Sequence, residues 1–277
     1  MKSLFEIAEQ CLSANGIQQK IHLTQQAFQL WQNNQLSLDS MAPPKAITQP
    51  GLPNKPTLIA PSEVPRRHLG TPAGLIALIH AVAHIEFNAI NLAWDAVYRF
   101  RNLPKQYYQD WIQVATEEAR HFQLLHQRLL ELGSDYGFLP AHNGLWEMAM
   151  RTAFDPMVRM ALVPRVLEAR GLDVMPNMIQ KLQQAGDKKT VTILEIILRD
   201  EIGHVAIGSH WFKYFCEQRG LDSEQTFREL IHRYFTGQIA GPFDYQIRAQ
   251  AGFSLNELNT LQSIAKSKAK PPNTMPT

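Results

Sequence analysis

Two Glu-x-x-His pairs stand inside apolar stretches of the sequence, where charged side chains are unusual. Glu118 and His121 interrupt one stripe of apolar residues that recur at spacings of three and four, and Glu201 and His204 interrupt another. Residues three positions apart share a helix face, so each pair offers a carboxylate and an imidazole to the same cavity. These groups suit iron or manganese, whereas a site for a softer metal would use thiolates.

Glu86 and Glu168 interrupt two further apolar stripes in the same way. An unpaired buried carboxylate costs several kcal/mol of folding free energy. Four of them would cancel much of the ~5–15 kcal/mol net stability of a domain. A pair of divalent or trivalent metal ions would neutralise these acids. One glutamate from each of two helices and a Glu-x-x-His pair from each of two others form the ligand set of dinuclear carboxylate bundles. The predicted metal ligands are Glu86, Glu118, His121, Glu168, Glu201 and His204.

Repetition of this pattern argues against chance. With 15 glutamates and 10 histidines in 277 residues, chance gives roughly half a Glu-x-x-His match, and the chain contains three. The two acids of the first predicted hairpin are 32 residues apart and those of the second are 33 apart, as a pseudo-twofold bundle requires. The third pair, Glu229 and His232, lies on a short helix, and we expect it to be a surface pair.

Periodicity, caps and stop signals predict a chain that is almost entirely helical. Two short helices are predicted within residues 1–40. The segment 41–67 contains seven prolines and cannot be a helix, so it is either a free linker or a strap packed on the main body; its apolar residues favour the strap. Gly171 is predicted to end the third long helix. The later helices are predicted over 71–101, 104–132, 143–170, 173–185, 188–219 and 223–236.

Four long helices with connections of mixed length predict an all-α four-helix bundle. Residues 1–69 are predicted to pack on it as N-terminal helices and a proline-rich strap, and residues 70–236 to form the bundle with its dinuclear site. Residues 237–277 are predicted to be a C-terminal extension, disordered from about residue 266. Pro164, one turn before Glu168, predicts a bend that either opens the site or is only a kink in the core.

Composition places the chain among globular proteins. Hydrophobic residues make up 45% and charged residues 19%, which excludes a largely disordered chain, and a net charge of +2 requires no nucleic acid or anionic membrane. Glu6 and Glu9 interrupt any signal-like apolar run, and no apolar run of spanning length is found. Cys11 and Cys216 form no zinc or disulfide spacing. We therefore expect a soluble cytoplasmic protein without a membrane partner.

Three segments within residues 70–219 carry a family resemblance: HIEFNAINLAWDAVYRF, DWIQVATEEARHFQLL and VLEARGLDVMP. They resemble the ferritin-like di-iron carboxylate superfamily and, within it, the bacterial ferritin-like domain-of-unknown-function family 455, whose mark is the EARGLD element. The resemblance implies a ferritin-like four-helix bundle, to which the sequence pattern adds extra N-terminal helices, the strap and a short C-terminal helix. It also implies a dinuclear iron site held by the six ligands named above.

Residues next to the ligands receive roles from the same resemblance. It implies that Glu117 orients His204, that Asp200 orients His121, and that Arg120 forms a salt bridge beside the ligands. Ribonucleotide-reductase-like members carry a radical tyrosine where this chain has Leu125. We therefore expect no radical role.

The function predicted from these residues is that of an oxygen-activating, hydroxylase-like di-iron oxidoreductase. It would take dioxygen or peroxide, a small organic substrate that the sequence does not identify, and an external electron donor; manganese is the alternative metal. One alternative is a ferroxidase, a peroxide-handling protein or a manganese catalase-like protein. Another is a non-enzymatic metal-binding helical module. The weakly basic tail (Lys266, Lys268 and Lys270) keeps nucleic acid a minority alternative, and a homodimer is compatible with the pattern.

Overall fold

The structure, a computed structural model, describes residues 2–39, 43–65, 70–237 and 239–268. Helices account for most of these residues, and a two-stranded parallel pairing of β1 (Lys2–Ser3) with β2 (Leu36–Ser37) is the sheet found among them. The predicted all-α class is confirmed. The helices are α1 (Leu4–Ser13), α2 (Ile17–Gln32), α3 (Pro72–Arg99), α4 (Lys105–Glu131), α5 (Gly144–Arg151), α6 (Pro156–Leu162), α7 (Ala169–Gln184), α8 (Lys188–Gln218), α9 (Ser223–Tyr234), α10 (Tyr245–Gln250) and α11 (Leu255–Lys268), with a 3-10 turn at Pro61–Glu63 and a π-helical segment, the π-turn, at Val163–Glu168.

The chain divides into two compact units. Unit 1 contains the residues up to Ala153 together with Asp187–Ile193, and unit 2 contains Phe154–Gly186 and the residues from Leu194 onward. Three of the six predicted metal ligands fall in each unit.

Unit 1 is built on the packing of α3 against α4, with α1 on α3 and α2 on α4. Thr71 caps α3 by accepting a hydrogen bond from the Gly74 amide at 3.0 Å, and Pro72 occupies the first turn. The buried indole of Trp94 donates to the Thr24 hydroxyl at 2.9 Å, which fixes α2 against α3. The N-terminal helices are thus integral to the core around α3 and α4.

The described part of the proline-rich segment is a strap held by hydrogen bonds within unit 1. Arg99 of α3 donates to the Ile47 carbonyl at 3.2 Å, and Trp146 of α5 donates to the Thr48 carbonyl at 2.8 Å. Further along, the Ile59 amide donates to the Ala141 carbonyl at 2.8 Å. These contacts correspond to the strap alternative and not to a free linker.

By length and composition, α3 is apolar enough to cross a membrane, which the sequence prediction did not anticipate. Of its most apolar 18-residue window, 61% is buried inside the protein. Its burial is that of the core helix of a soluble protein, and we interpret it so.

The helix predicted over 143–170 is interrupted in the structure and continues beyond its predicted end. The chain leaves helical geometry between α5 and α6, because Asp155 caps α6 by accepting from the Met157 amide at 2.8 Å and Pro156 starts the new helix. Gly171 does not end a helix but lies inside α7. The helix continues because Leu172, Met175, Ile179 and Leu182 extend its buried stripe.

The C-terminal extension is also more ordered than predicted, because α10 and α11 lie within it and α11 runs to Lys268. The overlooked signal is Ser254-x-x-Glu257, a capping box: the Ser254 amide donates to the Glu257 carboxylate at 2.9 Å, and the Glu257 amide donates to the Ser254 hydroxyl at 3.1 Å. The disorder predicted beyond residue 268 lies outside the described residues.

The π-turn of unit 2 lies against α8 at a point where only glycine fits. A Cβ atom added to Gly208 would lie 2.5 Å from both Cβ and Cγ of Pro164. The proline ring is rigid, so it cannot move aside as a flexible side chain would. The bend predicted at Pro164 is therefore realised as a π-helical segment nested on Gly208.

We predict that Gly208→Ala destabilises the protein by about 1–3 kcal/mol, because the new methyl group overpacks this contact. The free energy of unfolding in urea measures the effect. Gly203→Ala is the matched control, since Gly203 lies exposed on the same helix with no neighbouring atom within 4 Å of an added Cβ. Helix propensity predicts a gain of up to about 1 kcal/mol there. Equal stability of the two variants would contradict the close packing.

Candidate metal centre

Unit 1 brings together three predicted ligands in a cluster that we call the unit 1 triad: Glu86 from α3, and Glu118 and His121 from α4. His121 Nδ1 lies 3.2 Å from Glu86 Oε2 and 3.2 Å from Glu118 Oε2. All three side chains are buried, and one potential ligand atom from each lies within 4.8 Å of the others. Two carboxylates and an imidazole thus converge where a single cation could contact them all.

The electrostatics of the triad show how strongly it attracts positive charge. Burial raises the pKa of Glu86 well above its ordinary value, and the neighbouring charge of Glu118 raises it further. Burial by itself lowers the pKa of His121, but hydrogen bonds to Glu118 and Glu86 and the charges of these two groups outweigh it and raise the pKa to about 11. Without a metal, the triad therefore holds protons at neutral pH.

Unit 2 contains a second pair with the same geometry. His204 Nδ1 lies 3.2 Å from Glu201 Oε2, and both side chains are buried on α8. The remaining predicted ligand, Glu168, is half-buried at the last position of the π-turn. After it the chain passes close to Glu201, because a Cβ added to Gly171 would lie 4.0 Å from Glu201 Cγ. Unit 2 therefore places the Glu201–His204 pair near the first turn of α7, which follows Glu168.

The residues beside the ligands have polar partners on their own helices. The half-buried Glu117 accepts a hydrogen bond from Gln113 at 3.0 Å, and Asp200 accepts one from Arg199 at 2.9 Å. Arg120 is exposed. The roles predicted for Glu117 toward His204, for Asp200 toward His121 and for Arg120 stay predictions.

The third Glu-x-x-His pair behaves as expected. Glu229 and His232 are both exposed on α9, and Glu229 accepts a hydrogen bond from Gln225 at 2.8 Å. The same sequence spacing thus gives a surface pair where that face of the helix is exposed. Burial therefore distinguishes a candidate ligand pair from a surface pair.

One charged residue of this region escaped the sequence analysis. Arg165 lies in the π-turn three residues before Glu168, and its side chain is fully buried. The signal was present, because Arg165 stands in the apolar run ALVPRVL just as the acids stand in theirs. A ligand pattern of acids and histidines does not include an arginine, so it gives no indication of Arg165.

The described residues thus define a helical protein with buried carboxylate–histidine clusters that could hold metal. The chain belongs to the family described as "Protein of unknown function (DUF455)", which matches residues 13–259. An uncharacterised protein of Haemophilus influenzae is 49% identical over 222 residues, which cover 78% of this chain and 77% of that protein. No solved structure matches the chain.

We predict that metal binding releases protons, because the raised pKa values of Glu86 and His121 mean that a cation must displace protons to reach these ligands. The affinity for Mn²⁺ should rise between about pH 6 and pH 8, by about tenfold per pH unit for each displaced proton. Calorimetric titration in two buffers of different ionisation enthalpy counts the protons. If the Mn²⁺ affinity did not change with pH and binding released no protons, this account of the triad would be contradicted.

Proposed function

We propose that this chain is a ferritin-like dinuclear iron carboxylate protein that activates dioxygen to oxidise an organic substrate. The observation that carries the proposal is the unit 1 triad, where two buried carboxylates and an imidazole converge so that one cation could contact all three. The repeated Glu-x-x-His pair on α8 supports it, since a second set of ligands of the same kind calls for a second ion.

The donor set fits iron better than a softer metal. Each cluster offers carboxylate oxygens and imidazole nitrogen, and the two cysteines, Cys11 and Cys216, are buried elsewhere as free thiols whose pKa values burial raises. In this proposal Glu86, Glu118 and His121 hold one ion. Glu168, Glu201 and His204 hold the other, and manganese is the alternative metal for both.

When bound, a pair of iron ions supplies electrons for the reduction of dioxygen. The residues of the chain have to bind and orient the ions, keep bulk water away and leave a way in for the substrate. The buried α3 and α4 side chains give the dry surroundings, since Ile90, Ala93, Ala115 and Leu125 are all buried along these helices. Because Leu125 is aliphatic, the side chain at this position cannot form a tyrosyl radical.

The π-turn favours an enzyme over a purely structural metal site. π-helical segments are rare, they are less favourable than continuous α-helix, and they are frequently found at functional sites. Here the segment ends at a predicted ligand, Glu168. We further propose a cytoplasmic location, with an external electron donor.

We predict two metal ions per chain in protein purified from cells supplied with iron and manganese. Glu118→Gln and His204→Ala should each lower the metal content below two ions per chain. Mutation of a residue that only supports a ligand typically weakens metal binding 10–100-fold, and loss of the ligand itself should weaken it at least as much. Elemental analysis gives the count. The matched control is the exposed pair, Glu229→Gln with His232→Ala, which should retain both ions. Two ions retained in the Glu118 and His204 variants would refute the assignment.

Exposure of the reduced, iron-loaded protein to dioxygen tests the activity. We expect rapid dioxygen uptake and a transient visible absorption band that decays faster when the correct substrate is present. Continued iron uptake by a large assembly would indicate a ferroxidase instead, and rapid loss of peroxide by manganese-loaded protein would indicate a catalase-like activity. Two bound metals with no reaction toward either oxidant would indicate a non-enzymatic metal-binding module.

A further inference from the structure

A buried arginine fixes the π-turn from the inside of unit 2. The Arg165 side chain is 0% exposed, and its partner Glu257, on α11, is 1% exposed. Arg165 Nη2 donates to Glu257 Oε1 at 2.7 Å, and Nε donates to the Ser209 hydroxyl on α8 at 3.1 Å. One side chain thus connects the π-turn to two other helices.

Three aromatic rings surround the same guanidinium. Arg165 Cζ lies 4.8 Å from the ring centre of Phe212, 4.2 Å from that of Phe227 and 4.5 Å from that of Phe253. Each distance is within the range of a cation–π contact, and such contacts strengthen when water is excluded. A lysine ammonium could not replace the planar group, because it lacks both the fork of donors and the flat faces.

The acid that pairs with Arg165 is itself held in place. Glu257 Oε2 accepts from the Ser254 amide in the capping box of α11, which leaves Oε1 for Arg165. Ser254 in turn donates its hydroxyl to Glu224 on α9. Because both oxygens of Glu257 are engaged, Arg165 is bound to a fixed point and not to a mobile surface acid.

A second buried arginine holds the other side of Glu168. Arg248, on α10, donates to both carboxylate oxygens of Asp173 at 2.8 Å and to the Ala169 carbonyl at 3.1 Å. Ala169 directly follows Glu168, and Asp173 lies one turn further along α7. The aspartate of the EARGLD element therefore has a structural explanation, since it anchors α7 to the C-terminal extension.

We propose that Arg165 and Arg248 form a clamp that positions Glu168 as a metal ligand, and that the C-terminal extension exists to complete this clamp. The inference rests on the proposed function, because it takes Glu168 to be a ligand. A π-helical segment is less favourable than a continuous α-helix, so contacts on both sides are needed to keep it in one geometry. Arg165 and Arg248 are positioning residues and do not contact the metal.

The alternative is that both arginines merely stabilise the core. Arg219 supplies the control for this alternative, because it also makes a two-pronged salt bridge in unit 2, to Asp155 at 2.7 and 2.9 Å, but joins α8 to the start of α6. A purely structural role predicts that Glu257→Gln and Arg219→Lys act only through global stability. The clamp predicts an effect at the π-turn that the Arg219 variant lacks.

The test compares Glu257→Gln, Asp173→Asn and Arg219→Lys in the full chain. In metal-free protein, we expect the amides of residues 163 and 165–169 to exchange hydrogen at least about tenfold faster in the first two variants than in wild type. With Mn²⁺ as the probe, we expect one of two ions to bind about 10–100-fold more weakly in them, with a changed electron paramagnetic resonance spectrum. Arg219→Lys should match wild type in both measurements.

The double variant Arg165→Met with Glu257→Met covers the case in which a single variant fails to fold. Hydrophobic replacement of a buried ion pair often preserves stability, so a folded double variant that still binds one ion weakly supports the clamp. Wild-type affinity for both ions in the folded variants would overturn it, even if exchange at the π-turn were faster. Wild-type protein that binds fewer than two ions would instead refute the proposed function.

Discussion

Acidic groups inside an apolar helix stripe have to be neutralised, and much of this molecule can be understood from that requirement. In unit 1, burial and the charge of Glu118 raise the pKa of Glu86. Against the effect of burial, hydrogen bonds to Glu118 and Glu86 and the charges of these groups raise the pKa of His121. This arrangement compensates the carboxylates with protons when no metal is bound. A metal ion would supply the positive charge more completely, and the same three groups would then act as its ligands. The protonated and metal-bound states are thus alternative solutions to one electrostatic problem.

Unit 2 meets the same requirement with more elements. It has the Glu201–His204 pair, but its third predicted ligand, Glu168, stands at the end of an irregular turn. Glycine and proline allow that turn to approach α8, since only a residue without a side chain at position 208 leaves room for the Pro164 ring. Two buried arginines, paired with Glu257 and Asp173, then hold the chain on either side of Glu168. The C-terminal helices can therefore be understood as the support of a segment that carries a proposed ligand.

The sequence was informative where a residue that can bind metal interrupts a periodic apolar helix stripe. Glu118 and His121 were predicted to share a buried helix face because they interrupt a stripe of apolar residues, and they do share it. Periodicity did not predict the π-turn. A π-helical segment differs from an α-helix in its geometry, whereas the composition of the apolar stripe stays the same. Gly171 was wrongly taken as a stop signal, since burial of the residues after it outweighs the local preference of glycine. The helix α10 was missed because it has only six residues, whereas α11 was missed although Ser254-x-x-Glu257 marks its start.

The central claim is that the buried carboxylates and histidines of the two units bind metal, two ions per chain. Titration of the metal-free protein with Mn²⁺ tests it most directly, because the six-line electron paramagnetic resonance signal of free Mn²⁺ counts the ions that the protein has not bound. We predict two bound ions per chain in wild-type protein and fewer in Glu118→Gln. A single bound ion per wild-type chain, or none, would contradict the claim.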